Sequence, residues 1–178
     1  GRQPGRSVFV RRRVNQMQTN DDMQFQEGPG EMLAPGTTLL NGQFRIERYL
    51  SSGGFGITYL ARDSLERMVV IKECFPASFC ARVTKTVQAR SRGSIDDFRT
   101  FVDQFVREAR RLARLDHPNV VGVHQVFEDN ETAYMALDLV DGQDLLDIIE
   151  EAEVPMPPAE VKRILLETLD AVQMVHDH

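Results

Sequence analysis

Regular patterning begins after Gly42. From Phe44 to Leu50, FRIERYL alternates apolar and charged side chains, which predicts a strand with one buried face. ITYLA (Ile57–Ala61) and the β-branched run RMVVIKEC (Arg67–Cys74) predict two more strands, joined by a turn at ARDS. VVGVHQVFE and TAYMALDLV, separated by DNE, predict a second hairpin, so five antiparallel strands are expected. Between the third and fourth strands the period changes. Phe98, Phe101, Val102, Phe105, Ala109 and Leu112 recur at steps suited to one helical face, which predicts a helix over 94–115. Ser94 with Asp97 resembles a capping box, and DHPN closes the helix. A last helix is predicted from about Pro158, with Val161, Ile164, Leu165, Leu169, Val172 and Val175 on one face. Pro157 and Pro158 suit its first turn. The connector 75–93 contains RVTKTVQ, which predicts one further small strand.

Upstream of Gly42 the pattern is absent. Residues 18–42 include EGPGEMLAPGTTLLNG, whose polar, Gly/Pro-punctuated composition predicts a linker. Residues 1–16 hold Arg2, Arg6, Arg11, Arg12 and Arg13 and no acid, so they carry +5 of a total of −6. That run reads as a solvated tail or as sequence upstream of a start at Met17, the alternative being a basic targeting or membrane-surface segment. At 178 residues and 42% hydrophobic content the chain has room for one core and part of a second. Its acidic balance argues against general nucleic-acid binding, which needs a basic footprint. No run is long and apolar enough for a membrane segment. Cys74 and Cys80 are the two cysteines, which fits reduced thiols in a cytoplasmic setting. His117, His124, His176 and His178 have no zinc-type spacing with them. The start at Gly1 and the end inside a predicted helix suggest a piece of a longer protein.

The stretch LSSGGFGITYL puts three glycines within four residues, a local cost in chain entropy. Taken alone it reads as a tight turn, or as backbone laid bare for a ligand. Two charged residues sharpen the choice. Lys72 ends the aliphatic run VVIK, and Glu108 falls on the stripe of Phe101, Phe105 and Leu112. A carboxylate on a core-facing stripe needs a cation, and Lys72 is placed to supply it. A dinucleotide-binding fold does not fit, because its glycines join a strand to a helix and these join two strands.

In that order, LSSGGFGITYLA, VVIK, REARRLARLDHPNVV and YMALDLVDGQDL resemble the small lobe of the eukaryotic-type protein kinases. IKECFP and the long connector after it resemble the bacterial serine/threonine kinase branch. The resemblance spans residues 43–178. It implies an α+β fold: a five-stranded antiparallel sheet plus one long helix, followed by the first helices of the large lobe. The implied domains are a flexible tail over 1–42, an ATP-gripping lobe over 43–140, and a hinge exit with the truncated large lobe over 141–178.

The resemblance also implies roles. Ser51, Ser52, Gly53, Gly54, Phe55 and Gly56 would fold over the ATP phosphates, Lys72 would hold them, and Glu108 would hold Lys72. Leu50, Thr58 and Val70 would flank the adenine. Leu137 would be the gatekeeper, and Asp138, Leu139 and Val140 the hinge, with Asp144 near the ribose. Leu112 and Val123 would join a hydrophobic column between helix and sheet. Ser51 stands where the family has its first glycine, Thr58 where it has valine and Val70 where it has alanine. The implied cofactors are ATP and magnesium, with the magnesium ligands outside this chain. The implied partners are protein substrates, not nucleic acid. The His-Arg-Asp and Asp-Phe-Gly segments would lie beyond residue 178, so the chain alone is expected to be inactive. The implied function is serine/threonine phosphorylation by the whole protein; the alternative is a pseudokinase that binds nucleotide without transfer.

Overall fold

A computed structural model describes residues 31–177. In chain order its elements are β1 (Thr38–Leu39), β2 (Phe44–Gly53), β3 (Gly56–Asp63), β4 (Met68–Cys74), β5 (Cys80–Val83), β6 (Thr86–Ala89), α1 (Ile95–Leu112), β7 (Val123–Asp129), β8 (Thr132–Asp138), α2 (Leu145–Glu150) and α3 (Pro158–His176). Six strands form one antiparallel sheet in the order β1-β2-β3-β4-β8-β7, while β5 and β6 pair as a separate hairpin. The five expected strands are all present. The turn between β7 and β8 places Asn130 and Glu131 at φ 49° and 62°, the left-handed twist that a two-residue hairpin loop requires. The turn after β3 is held by Asp63, whose carboxylate accepts the Leu65 and Arg67 amides and the Arg67 guanidinium.

Strand alternation decides the two faces. Ile57, Tyr59 and Ala61 of β3 and Val69 and Ile71 of β4 are buried together on one face. The intervening Thr58, Leu60, Val70 and Lys72 are only half-buried on the other. In β2 the alternation holds through Phe44 and Ile46 and is then broken by irregular pairing between Ile46 and Arg48. Helix α1 covers part of the second face, with Phe105, Val106 and Ala109 packed against Cys74, Ala133 and Met135.

Four boundaries differ from the sequence reading. Residues 31–42 are not a free linker: β1 pairs with β2, Leu33 and Leu39 are buried in the main core, and the Gly36 amide donates to the Ile46 carbonyl. The tail expected over 1–42 therefore gives way to folded chain from Glu31 onward, and residues 1–30 lie outside the described residues. Turn formers dominate this segment, with Gly36 and Gly42 at φ 83° and 88°, so two leucines carry its burial without any visible period. Second, the connector forms the whole β5–β6 hairpin rather than one strand. Third, the capping box is not made. A 3₁₀ turn (Arg92–Ser94) leads straight into α1, and the Ser94 hydroxyl meets Ser91 instead of the helix amides. Fourth, β7 starts at Val123, after an irregular stretch.

Helix α3 is tied to the segment after α1 by His117 Nε2 with Asp170 (3.0 Å) and by Asn119, which donates to the Glu167 carbonyl (3.1 Å). Its Val161, Leu165, Leu169 and Val172 stay exposed, as do Leu146 and Ile149 of α2. No helix among the described residues is long and apolar enough to cross a membrane.

Because Leu39 is fully buried, Leu39→Ala should lower the unfolding free energy by about 2–4 kcal/mol. Leu65→Ala, at a largely exposed position, should change it by less than about 0.5 kcal/mol. Chemical denaturation of the two variants checks whether the segment 31–42 belongs to the folded unit.

Candidate functional site

The glycine-rich stretch closes the β2–β3 hairpin, with Gly53 opposite Gly56 and Ser51 opposite Thr58. The three glycines are there for different reasons. A Cβ on Gly56 would collide with the backbone carbonyl of Glu73, so β3 and β4 can meet there only if residue 56 is bare. Gly53 and Gly54 have nothing within 4 Å of a Cβ position, and neither adopts positive φ. Nothing among the described residues requires them to be glycine. Phe55, between them and Gly56, has its carbonyl bonded to the Phe75 amide at 3.2 Å. Its exposed ring lies 5.9 Å from Phe101 of α1, which in turn lies 5.0 Å from Phe79.

Beside this loop, Thr58, Lys72 and Met135 stand in register across β3, β4 and β8, and Leu60, Val70 and Leu137 form the next row. The Lys72 Cε atom lies 3.9 Å from where a Gly56 Cβ would be, so its stem runs up to the glycine loop. No carboxylate pairs with Lys72 among the described residues. Leu50 is half-buried at the second irregularity of β2, and Ser51 and Ser52 are exposed. Tyr49 donates to Ser52 Oγ at 2.9 Å.

Glu108 departs from the expectation. The buried residues of α1 are Phe98, Phe105, Val106 and Ala109, while Phe101 and Leu112 are half-buried and Glu108 is exposed. The packed stripe is therefore centred one step around the helix from the 101–108–112 row. That rotation leaves the carboxylate in water, where it has no desolvation cost to offset. Lys72 and Glu108 do not form an ion pair in this structure.

The strip after β8 is anchored from behind. Two hydrogen bonds join Asp138 and Gly122: the Asp138 amide donates to the Gly122 carbonyl, and the Gly122 amide donates to the Asp138 carboxylate. His124 Nε2 is 2.8 Å from the other carboxylate oxygen. Leu139 and Val140 follow with exposed side chains. Asp144 caps α2, accepting the Leu146 amide at 2.8 Å. Val123 packs at the edge of the α1 core.

The largest feature absent from the sequence reading lies on the opposite face of β4. Glu73 is fully buried and accepts hydrogen bonds from Tyr59 Oη (2.9 Å), Tyr134 Oη (2.6 Å) and Arg82 Nη2 (2.5 Å). Arg82 also donates through Nε to the Glu31 carbonyl and lies over the Phe75 ring. Burial, followed by the neighbouring Glu73 charge, pushes both tyrosine pKa values upward, so the phenols remain donors. One signal for Glu73 was available: the alternation that buries Val69 and Ile71 continues to residue 73. Arg82 had none, because only the hairpin fold brings it there.

Residues 44–178 match the family described as protein kinase domain. The chain belongs to the protein kinase family. Among the curated kinases it is similar to, serine/threonine-protein kinase pkn2 of Myxococcus xanthus is 31% identical over 147 residues, 82% of this chain and 15% of that protein. Serine/threonine-protein kinase PknJ of Mycobacterium tuberculosis is 33% identical over 75% of this chain and 20% of its own length. Of solved kinase-like structures, the apo form of PpkA-294 matches with a TM-score of 0.70 and 32% identity, covering 75% of this chain and 48% of that one. The Mycobacterium tuberculosis PknI kinase domain matches with a TM-score of 0.60 and 26% identity over 82% of this chain and 51% of that one. The chain thus spans at most a fifth of these curated kinases and about half of the solved ones. The α+β architecture is that of a kinase small lobe with the start of the large lobe.

Gly56→Ala should destabilise the fold by about 1–3 kcal/mol through overpacking against the Glu73 carbonyl. Gly53→Ala and Gly54→Ala should stay within about 0.5 kcal/mol of the parent. Thermal and chemical melts of the three variants separate the structural glycine from the two unconstrained ones.

Proposed function

We propose that this chain is the nucleotide-gripping portion of a serine/threonine protein kinase, which as a whole protein transfers the γ-phosphoryl group of ATP to protein substrates. The observation that carries this reading is one juxtaposition. A lysine with no carboxylate partner among the described residues runs up to a loop whose Gly53 and Gly54 no described residue requires to be bare. Backbone amides and a compact ammonium are what a polyphosphate requires, and side chains on the loop would keep the phosphates away. The names of the kinase relatives point the same way.

In this reading Ser51 to Gly56 cover the phosphates and Lys72 neutralises the α and β groups. Leu50, Thr58 and Val70 bound the adenine beside Leu137. The backbone of Asp138 to Val140 reads the adenine edge, which leaves the Asp138 carboxylate free for its anchoring contacts with β7. Asp144 contributes near the ribose through the carboxylate oxygen not used in capping α2. Glu108 reaches Lys72 only after α1 turns its flank toward the sheet, so the described arrangement corresponds to a state not yet set for transfer. Magnesium, when bound, supplies charge neutralisation between the phosphates. No group of three His, Cys, Asp or Glu residues suited to a metal occurs among the described residues. The metal ligands in this reading belong to the remainder of the kinase domain. Two free, buried cysteines, with thiol pKa values raised to about 12 by burial, are in keeping with the proposed cytoplasmic location.

The second reading, a nucleotide-binding module without transfer, is favoured by the separation of Lys72 from Glu108. Lys72→Met in the whole protein distinguishes the two. Phosphoryl transfer should fall about 100-fold to 1,000-fold while the melting temperature stays within error. Transfer at the parent rate would remove Lys72 from the mechanism, and a parent that binds ATP but transfers nothing would establish the module. The chain by itself, with only one wall of the cleft, should bind ATP weakly and with little dependence on magnesium. Calorimetric titration with and without the metal measures this, and micromolar magnesium-dependent binding would contradict it.

A further inference from the structure

We infer that Glu73 is a positioning residue, whose buried pairing with Arg82 locks the β5–β6 hairpin onto β4 and so sets the spacing between the glycine loop and Lys72. This rests on the nucleotide reading of that loop and deepens it. The four residues from Lys72 to Phe75 carry all the relevant contacts. Lys72 reaches toward Gly56, Glu73 offers the carbonyl against which Gly56 packs, and Phe75 donates its amide to Phe55. The loop therefore rests at two backbone points, Glu73 near the end of β4 and Phe75 just beyond it, one on each side of Cys74.

That short segment is held in the sheet by its pairing with β3 and β8 and by the Thr132 hydroxyl on the Cys74 carbonyl, and it is tied to the hairpin by the Glu73 side chain. Successive residues of an extended strand point to opposite faces, so the lock lies behind the sheet and touches no ligand. Its donors come from three separate elements: Tyr59 from β3, Tyr134 from β8 and Arg82 from the hairpin. Arg82 is fixed in turn by the carbonyls of Glu31 and Lys85 and by the Phe75 ring, 5.2 Å from its guanidinium carbon. Both side chains of the ion pair are fully buried. An apolar pair of similar volume would fill this space without removing charge from water. The ionic pair instead admits one arrangement of hairpin and strand, because displacement leaves both charges buried and unpaired. A shift of the lock becomes a shift of the loop relative to the lysine, and phosphate contacts are sensitive to such displacement.

The test uses the whole protein and compares ATP with adenosine, which lacks the phosphates. Glu73→Gln keeps the shape and removes the charge, while Arg82→Lys keeps the charge and removes the planar fork. In folded variants, calorimetry should show ATP affinity reduced about tenfold and adenosine affinity changed by less than about twofold. An unchanged ratio of the two affinities, or an equal loss of both, would overturn the inference in favour of a purely structural pair. If Glu73→Gln does not fold, Tyr59→Phe and Tyr134→Phe each delete one bond to the carboxylate and should move the ratio in the same direction by less. A parent protein that binds neither ligand would overturn the nucleotide reading itself, and this inference with it. A parent that binds ATP, with variants that keep its ratio, would overturn this inference alone.

Discussion

A carboxylate removed from water must find its hydrogen bonds within the protein, and the burial of Glu73 imposes that demand on three other parts of the chain. Two tyrosines from neighbouring strands and one arginine from a hairpin meet it. The arginine brings its own needs, which the carbonyls of Glu31 and Lys85 satisfy. The segment before β1, the hairpin and the sheet are thereby joined through one group. Such a pair adds little to stability compared with well-packed apolar side chains, but losing one partner costs about 3–5 kcal/mol. That is a large share of the total of about 5–15 kcal/mol that holds a domain folded.

The glycine-rich loop rests on this support and shows two uses of the same residue. Gly56 serves the fold, since its missing Cβ allows β3 to approach the Glu73 carbonyl. Gly53 and Gly54 serve nothing the described residues contain, and their bare backbone faces open space. The aromatic contacts from Phe55 to Phe101 and Phe79 connect the same loop to α1 and the connector. The loop, the helix and the hairpin are therefore mechanically related even though Lys72 and Glu108 stand apart.

The end of the described chain, from α2 onward, keeps apolar side chains uncovered among the described residues. Helices α2 and α3 leave Leu146, Ile149, Leu165 and Leu169 exposed, and α3 is attached to the described chain through polar contacts at His117 and Asn119. Contiguous exposed apolar rows of this kind are surfaces suited to contact with another element or partner.

The sequence by itself determined the elements whose signal is local. Alternation in β3 and β4, the β-branched run ending at Lys72, the three-four spacing of α1 and the order of four motifs defined the kinase-like fold and most of the candidate site. Periodicity is imprecise about rotation, however. It placed Glu108 beside Phe105, whereas packing centred the buried stripe on Phe98, Phe105 and Ala109 and left the acid in water. Composition misjudged residues 31–42, because two buried leucines among turn formers have no period to detect. The tertiary structure alone decided the Glu73–Arg82 lock. Its partners are scattered from Glu31 to Tyr134, and hydrogen bonds between such distant residues depend on where the sheet and hairpin bring them, not on any spacing along the chain.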